Sequence, residues 1–168
     1  MNRAAETMDE LIVTVAPNGA YKQAADHPAL PITPESLAST AKACLDAGAA
    51  MLHLHIRDAE GRHSLDVEGY RLALSAVRAA VGQEMVLQVT SEAAKVYAAP
   101  AQLAMARALQ PEALSVGLRE IDTPEIGPAG LQAFFEDLLR FGTMTQVILY
   151  DDRDLRRWQA LRADGTIP

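Results

Sequence analysis

The sequence predicts an α/β protein in which helices cover a parallel sheet. Five short apolar segments rich in Val, Ile and Leu alternate with five segments of helical periodicity along the 168 residues. Parallel strands need long crossover connections, and helices supply them. No linker, low-complexity tract or shift in composition divides the chain, so we expect a single domain over residues 1–168. Two architectures fit this pattern: a doubly wound open sheet and a (β/α)₈ barrel.

The individual elements are predicted from hydrophobic periodicity and from capping residues. Strands are expected at residues 11–16, 50–56, 85–90, 113–117 and 146–150. Thr33, followed by Pro34 and Glu35, is a typical helix start, and Gly48 is a typical stop. The other helices are expected after Asp66, over residues 99–109, around the apolar stripe at 131–139, and after the Asp151-Asp152 pair.

The charge and composition argue against several classes of partner. The net charge of −7 makes a nucleic-acid or anionic-membrane partner unfavourable. No apolar run reaches the roughly 18 residues that span a bilayer. Residues 1–10 include Glu6, Asp9 and Glu10 and have no apolar h-region, which is unlike a secretory signal. We therefore expect a cytoplasmic protein.

Two histidines in the second predicted strand, His53 and His55, are the first candidates for chemistry. Side chains alternate along a strand, so residues two apart share one face, and Leu52 and Leu54 point the other way. The pair lies near the carboxyl end of the strand, where parallel α/β proteins place their sites. Paired imidazoles suit a divalent transition metal, most often zinc. Hydrogen-bonded core histidines are the alternative, and we favour the metal.

Other polar residues follow the remaining strands and should meet at the same rim. Asp151 and Asp152 also fit as helix caps, Thr90 and Ser91 could cap a helix, and Arg119 could pair with Glu120 at the surface. A shared polar pocket is nevertheless predicted there. The rim residues are Asn18, Gly19, Thr90, Ser91, Glu92, Arg119, Glu120, Asp151 and Asp152.

A catalytic zinc site usually has three protein ligands, and the third is not evident from the sequence. His27, His63, Glu92 and Glu120 are available, but none has a compelling spacing. Either a loop residue of this chain supplies the third ligand, or the third ligand is absent from this chain. No dinucleotide-binding glycine motif follows the first strand, and neither a P-loop nor a G-x-S-x-G motif is present.

The chain resembles the β-keto acid cleavage enzymes, zinc-dependent (β/α)₈ barrels related to 3-keto-5-aminohexanoate cleavage enzyme. The resemblance is carried by VTVAPNGA at 13–20, DHPALPITPE at 26–35 and AGAAMLHLHIRDAEGRHSLD at 47–66, with weaker support from QVTSEA at 88–93 and ILYD at 148–151. It implies a TIM-barrel type fold, here incomplete, with about five βα units and parallel strands in the order 1-2-3-4-5.

The resemblance also implies an activity. The family transfers an acyl group between a β-keto acid and acetyl-CoA, giving acetoacetate and a new CoA thioester. His53 and His55 match the family's metal-binding histidines, which implies Zn²⁺. Tyr21 and Leu118 stand where the aminohexanoate enzyme has a glutamate and a threonine, which argues against an amino-keto acid, so the β-keto acid stays open.

Further candidate residues come from the resemblance and from the rim of the sheet. Thr90 matches a substrate-contacting serine, and the candidates for catalysis are Thr90, Ser91 and Arg57. The expected substrate contacts are Asn18, Gly19, Tyr21, Thr90, Glu92 and Arg119.

The family's third metal ligand, its catalytic aspartate and an arginine lie in later strands without counterparts here. A complete barrel needs eight units and roughly 250 residues, so we expect this chain to be the first part of a family member. A non-catalytic fragment and another metal-dependent (β/α) hydrolase or lyase are the alternatives. We expect the isolated chain to form homo-oligomers or aggregates and to show no acetoacetate formation.

Overall fold

The computed structural model describes residues 11–168, so the expectation about a signal segment in residues 1–10 lies outside the described part. Seven strands and six helices are found in this range. The strands are Thr14–Val15 (β1), Met51–Leu54 (β2), Ile56–Arg57 (β3), His63–Ser64 (β4), Val86–Thr90 (β5), Ala113–Gly117 (β6) and Met144–Ile148 (β7). The helices are Pro34–Asp46 (α1), Val67–Val81 (α2), Ala99–Leu109 (α3), Leu118–Ile121 (α4), Gly127–Phe141 (α5) and Asp152–Ala163 (α6).

Five of the strands form one parallel sheet in the order β1-β2-β5-β6-β7. These are the five predicted strands in chain order, so the expected sequential topology is confirmed, and an open sheet with a reversing strand order is excluded. The α/β arrangement is that of an incomplete (β/α)₈ barrel.

The helices begin where their capping residues predicted. The Thr33 side chain accepts a hydrogen bond from the Ser36 N–H, and the Asp66 side chain accepts one from the Gly69 N–H. Asp151 caps α6 by accepting from the N–H groups of Arg153 and Asp154. Each cap satisfies amide groups that the first helical turn leaves without partners.

The helices pack on one face of the sheet. Alternate residues of the central strands supply the apolar side of this contact, and the helices contribute residues such as Leu37 and Phe134. The buried strand residues on this face are Leu52, Leu54, Leu87, Val89, Leu114 and Val116. The opposite face carries His53, Gln88 and Ser115, so the alternation along each strand separates the core from the polar face.

Four predicted strands have different bounds in the structure, and two of them, the second and the third, are shortened to 51–54 and 86–90. The first pairs with β2 only through Thr14 and Val15. The last was predicted at 146–150 but runs over 144–148, because the Met144 N–H donates to the Glu112 carbonyl and starts the pairing earlier. Beyond its other end, the Tyr150 N–H donates to the Asp154 carboxylate, so the backbone at Tyr150 is bonded to the first turn of α6.

The segment between β2 and α2, in which the sequence analysis predicted no further strand, contains an antiparallel ribbon of β3 and β4. Ile56 pairs with Ser64, and Arg57 pairs with His63. Asp58 closes the turn by accepting hydrogen bonds from the N–H groups of Glu60 and Arg62. Two-residue strands carry too little periodicity to be recognised in a sequence, whereas the ribbon brings His63 back over His55.

Within residues 11–168, no helix combines the length and the apolar character needed to cross a membrane.

Candidate active site

The rings of His53 and His55 lie together on the polar face of the sheet, as their spacing predicted. Their Nε2 atoms are 3.1 Å apart, and the ring centroids are 5.0 Å apart with the planes at 73°. His53 is the last but one residue of β2, and His55 follows the strand directly. The pair is therefore at the carboxyl end of the sheet.

The backbone of His55 is held by the loop that follows β1. The Asn18 Oδ1 accepts a hydrogen bond from the His55 N–H at 3.2 Å, and its Nδ2 donates to the His55 carbonyl at 2.8 Å and to the Pro31 carbonyl at 3.1 Å. Asn18 is 3% exposed. In this structure Asn18, expected as a substrate contact, uses its amide to position a histidine.

Burial favours the neutral form of the His55 and His63 rings. Desolvation, followed by the nearby His53, His63 and Arg57, lowers the pKa of His55 from 6.5 to about 3. The pKa of His63 is also lowered, chiefly by burial. A neutral imidazole keeps a nitrogen lone pair available, which a metal ligand requires.

His63, which the sequence analysis left without a role, packs against the histidine pair. Its ring centroid lies 5.3 Å from that of His55, and its Nε2 lies 2.9 Å from the Glu92 carbonyl oxygen, to which it can donate. Within the described range 11–168, the buried Nδ1 atoms of His55 and His63 have no hydrogen-bond partner. Because the two-residue strands β3 and β4 are too short to be recognised from a sequence, this contact was not predicted.

Glu92 lies beside His55 but on the side away from His53. Its Oε2 is 4.0 Å from His55 Nδ1, whereas the two Nε2 atoms face each other. Glu92 is therefore not placed to share an ion with both Nε2 atoms. Among residues 11–168, no group of three or more His, Cys, Asp or Glu side chains is arranged to hold a metal.

An open cleft of about 530 Å³ is lined by residues from four predicted strand ends, and one of them, Glu92, neighbours His55. Burial raises the pKa of Glu120, whose carboxylate accepts a hydrogen bond from the Ala93 N–H at 3.0 Å. Burial and then Glu120 raise the pKa of Tyr150 to about 12. The lining residues are Tyr21, Glu92, Ala93, Ala94, Lys95, Arg119, Glu120 and Tyr150.

Arg119 does not form the surface ion pair with Glu120 that was considered from the sequence. Its guanidinium pairs with Asp151 at 2.7 Å and with Asp154 at 2.9 Å, and it stacks 4.9 Å from the centre of the Tyr150 ring. These contacts place Arg119 at the edge of the cleft, tied to the start of α6.

Arg57 holds the loop after β1. Its Nη2 donates to the carbonyl of Gly19 at 2.6 Å and to that of Lys22 at 3.1 Å. Gly19 itself has a φ of 55°, a conformation that glycine adopts readily. Arg57 thus holds the backbone of the loop from which Tyr21 reaches the cleft.

Thr90 and Ser91, the remaining candidates, are both buried at the end of β5. The Thr90 Oγ1 accepts a hydrogen bond from the Glu92 N–H at 3.0 Å, and the Ser91 hydroxyl donates to the Ser115 carbonyl at 3.2 Å. Neither caps a helix. Thr90 lies on the polar face of the sheet, opposite Ser115 in register.

The sequence analysis missed two glutamines on the polar face. Gln88 of β5 lies opposite His53 in register, and its Oε1 is 2.8 Å from His53 Nδ1. The Gln88 Nε2 donates to Gln146 Oε1 of β7 at 2.9 Å. A polar residue inside an apolar strand was the signal that could have identified both.

Comparison with known proteins gives a consistent result. A family model described as beta-keto acid cleavage enzyme matches residues 10–168. The chain is 38% identical over 71 residues to a 3-keto-5-aminohexanoate cleavage enzyme of Fusobacterium nucleatum, covering 42% of this chain and 26% of that protein. It is 30% identical over 113 residues to a 3,5-dioxohexanoate:acetyl-CoA acetone transferase of Paraburkholderia graminis, covering 67% of this chain and 36% of that protein.

A similar fold occurs in a solved structure described as a ternary complex of ObcA with C4-CoA adduct and oxalate. The TM-score is 0.62 at 20% identity, over 83% of this chain and 35% of that one. This likeness supports the fold. The matched segments span about a quarter to a third of the two relatives' own lengths.

Proposed function

This chain belongs to the beta-keto acid cleavage enzyme family, and we propose that the protein carrying it exchanges an acyl group between a β-keto acid and acetyl-CoA. The products are acetoacetate and a new CoA thioester. The names of the matched relatives support this reaction, since one is a keto acid cleavage enzyme and one uses acetyl-CoA. The observation that carries the proposal is the pair of facing imidazoles, with burial lowering the pKa of His55, in a chain of this family.

The pair is proposed to hold a divalent metal ion, Zn²⁺ being favoured by the nitrogen donors. A tetrahedral ion with bonds of about 2.0–2.1 Å holds two ligand nitrogens roughly 3.3 Å apart. The observed Nε2 separation of 3.1 Å is close to that value. The donor set therefore fits, with two ligands from residues 11–168 and other positions left for water, substrate or a further ligand.

When bound, such an ion supplies Lewis-acid polarisation of the keto carbonyl. The chain's own residues bind and orient the substrate. Thr90 lies on the same face as the histidines, and its hydroxyl oxygen is fixed by the Glu92 N–H. Tyr21, Glu92 and Arg119 line the adjoining cleft, which we assign to the keto acid or the CoA thioester. Asn18 and Arg57 keep this loop and His55 in place.

The residues that line the cleft narrow the range of β-keto acids that we propose as substrates. Arg119 and Lys95 give the cleft positive charges that attract a carboxylate, and Glu92 and Glu120 give it negative charges that repel one. Tyr21 presents a phenol in place of the glutamate that the resemblance associates with a substrate amine. We therefore propose a β-keto acid without an amino group.

The test uses the protein that carries this chain, with acetyl-CoA and a panel of β-keto acids. Acetoacetate formation and bound zinc are measured for the wild type, for His53→Ala with His55→Ala, and for His27→Ala. His27 is exposed, so its replacement is the matched histidine control. The double variant should lose both activity and zinc, and the control should keep both. Full activity and zinc content in the double variant would contradict the proposal.

A further inference from the structure

We propose that Gln88 is a positioning residue that holds His53 in the tautomer with its hydrogen on Nδ1. The Nε2 lone pair is then directed at His55. The inference rests on the proposed function in one respect, because this lone pair is the one that a shared ion would use. The tautomer itself can be measured without any metal.

The contact between the two side chains is built into the sheet. His53 of β2 and Gln88 of β5 are directly paired in register, so their side chains leave the same face side by side. Gln88 Oε1 lies 2.8 Å from His53 Nδ1. Gln88 is 1% exposed, so water does not compete for the amide. A buried acceptor at this distance requires a hydrogen on the facing nitrogen.

The amide nitrogen of Gln88 makes a second contact. Its Nε2 donates to Gln146 Oε1 at 2.9 Å, two strands away on β7. Between them lies β6, where the residue in register with Gln88 is the small Ala113. The amide nitrogen is thus engaged toward β7, which leaves the amide oxygen for the histidine.

The consequence concerns which nitrogen of each ring carries a hydrogen. A neutral imidazole has one hydrogen, so a hydrogen on His53 Nδ1 leaves Nε2 as an acceptor. The His55 Nε2, 3.1 Å away, is then the donor in the metal-free protein. A ligand histidine commonly donates its second nitrogen to an outer partner, which fixes the ring and the tautomer. In this protein the outer partner of His53 is the uncharged side-chain amide of Gln88.

The test begins with the metal-free protein that carries this chain, labelled with ¹⁵N at histidine. The chain has four histidines, so single substitutions assign their NMR signals. In the wild type, His53 should carry a hydrogen on Nδ1 and no hydrogen on Nε2. A wild-type His53 protonated at Nε2 would overturn the inference at once.

Variants then test the role of the amide. Gln88→Met keeps the length but removes the acceptor, so the His53 preference for Nδ1–H should disappear, and affinity for Zn²⁺ alone should fall about 10–100-fold. Gln88→Glu restores an acceptor and should restore the Nδ1–H tautomer. Thr143→Val is the matched control, because it removes a buried hydrogen bond to the Pro111 carbonyl at the other end of the sheet. It should leave the histidine signals unchanged.

The outcomes separate this inference from the proposed metal site. If the wild type binds no Zn²⁺ but Gln88→Met abolishes the tautomer preference, the inference stands and the metal proposal fails. If folded Gln88→Met keeps the wild-type tautomer, the inference fails whatever the zinc result. If Gln88→Met does not fold, Gln146→Met is measured in its place. This substitution frees the Gln88 amide nitrogen, so His53 should become a mixture of its two tautomers. An unchanged histidine spectrum would count against the inference.

Discussion

The side-chain amide of Asn18 pairs with both backbone groups of His55, accepting from its N–H at 3.2 Å and donating to its carbonyl at 2.8 Å. The contact resembles the pairing of two strands, with an amide side chain in place of a backbone. It begins where the pairing between β1 and β2 has ended. The loop after β1 is thereby fixed to the residue that carries one of the two facing imidazoles.

Replacing Asn18 with Leu should lower the free energy of unfolding by about 3 kcal/mol. The change leaves two buried backbone groups of His55 unpaired, and each costs about 1–3 kcal/mol. Asn18→Asp keeps the acceptor for the N–H but sets a buried carboxylate oxygen against the His55 and Pro31 carbonyls, so it should also be destabilising. Urea denaturation of the three proteins measures the difference. Equal stability of Asn18→Leu and wild type would show that the amide is dispensable.

Replacing Arg57 with Met should loosen the loop that its guanidinium holds. Hydrogen bonds from a charged donor contribute about 1.5–3 kcal/mol, so amide exchange around residues 19–23 should accelerate by roughly 10–100-fold. Hydrogen exchange followed by mass spectrometry reports this. Arg62→Met is the matched control, since Arg62 pairs with Asp58 and Glu60 at the exposed turn of the β3–β4 ribbon. Unchanged exchange in Arg57→Met would exclude the anchoring role.

Stability of the metal-free chain should fall as the pH drops below about 6.5. The folded-state pKa of His55 is lowered to about 3, so the unfolded chain takes up a proton that the folded chain refuses. The contribution is complete above the ordinary pKa of 6.5 and is lost progressively toward pH 3. Between pH 7 and pH 5 the loss should be about 2 kcal/mol for this residue.

Denaturation with a chelator present at pH 7, 6 and 5 measures this dependence. His55→Asn should flatten it, leaving the part that comes from His63, whose pKa is also lowered. His27→Ala should keep the wild-type slope. A slope in His55→Asn equal to that of the wild type would contradict the assignment.

The isolated 168-residue chain should self-associate through its edge strands. In the described sheet β1 pairs only with β2, and β7 pairs only with β6. Residues Leu11, Ile12 and Val13 before β1 are exposed and uncharged, as is Met144 on β7. Edges of this kind favour pairing with another chain.

Light scattering coupled to size-exclusion chromatography tests this association. Ile12→Lys should shift the chain toward the monomer, because a charge at the edge disfavours strand addition. Leu72→Lys removes an equally exposed apolar residue from the surface of α2 and should change little. A monomeric wild type, or an equal effect of both substitutions, would show that the edges are not responsible.

The local sequence determined the five strands of the sheet, the five longer helices and the first feature of the site. Alternation along the second strand placed His53 and His55 on one face, and the side chains of Thr33, Asp66 and Asp151 marked helix starts. These features depend on residues a few positions apart, whose geometry follows from the strand and helix periods. The regular alternation of strands and helices predicted the sequential sheet for the same reason.

Tertiary structure alone decided how the site is held together. The partners of His53 and His55 are Gln88 and Asn18, 35 and 37 positions away in the chain. Arg119, adjacent to Glu120, pairs instead with Asp154, 35 positions on. Such contacts depend on strand register and on where loops return, which no local pattern specifies. The sequence by itself determined which residues reach the rim of the sheet, and the packing of distant segments decided which of them touch.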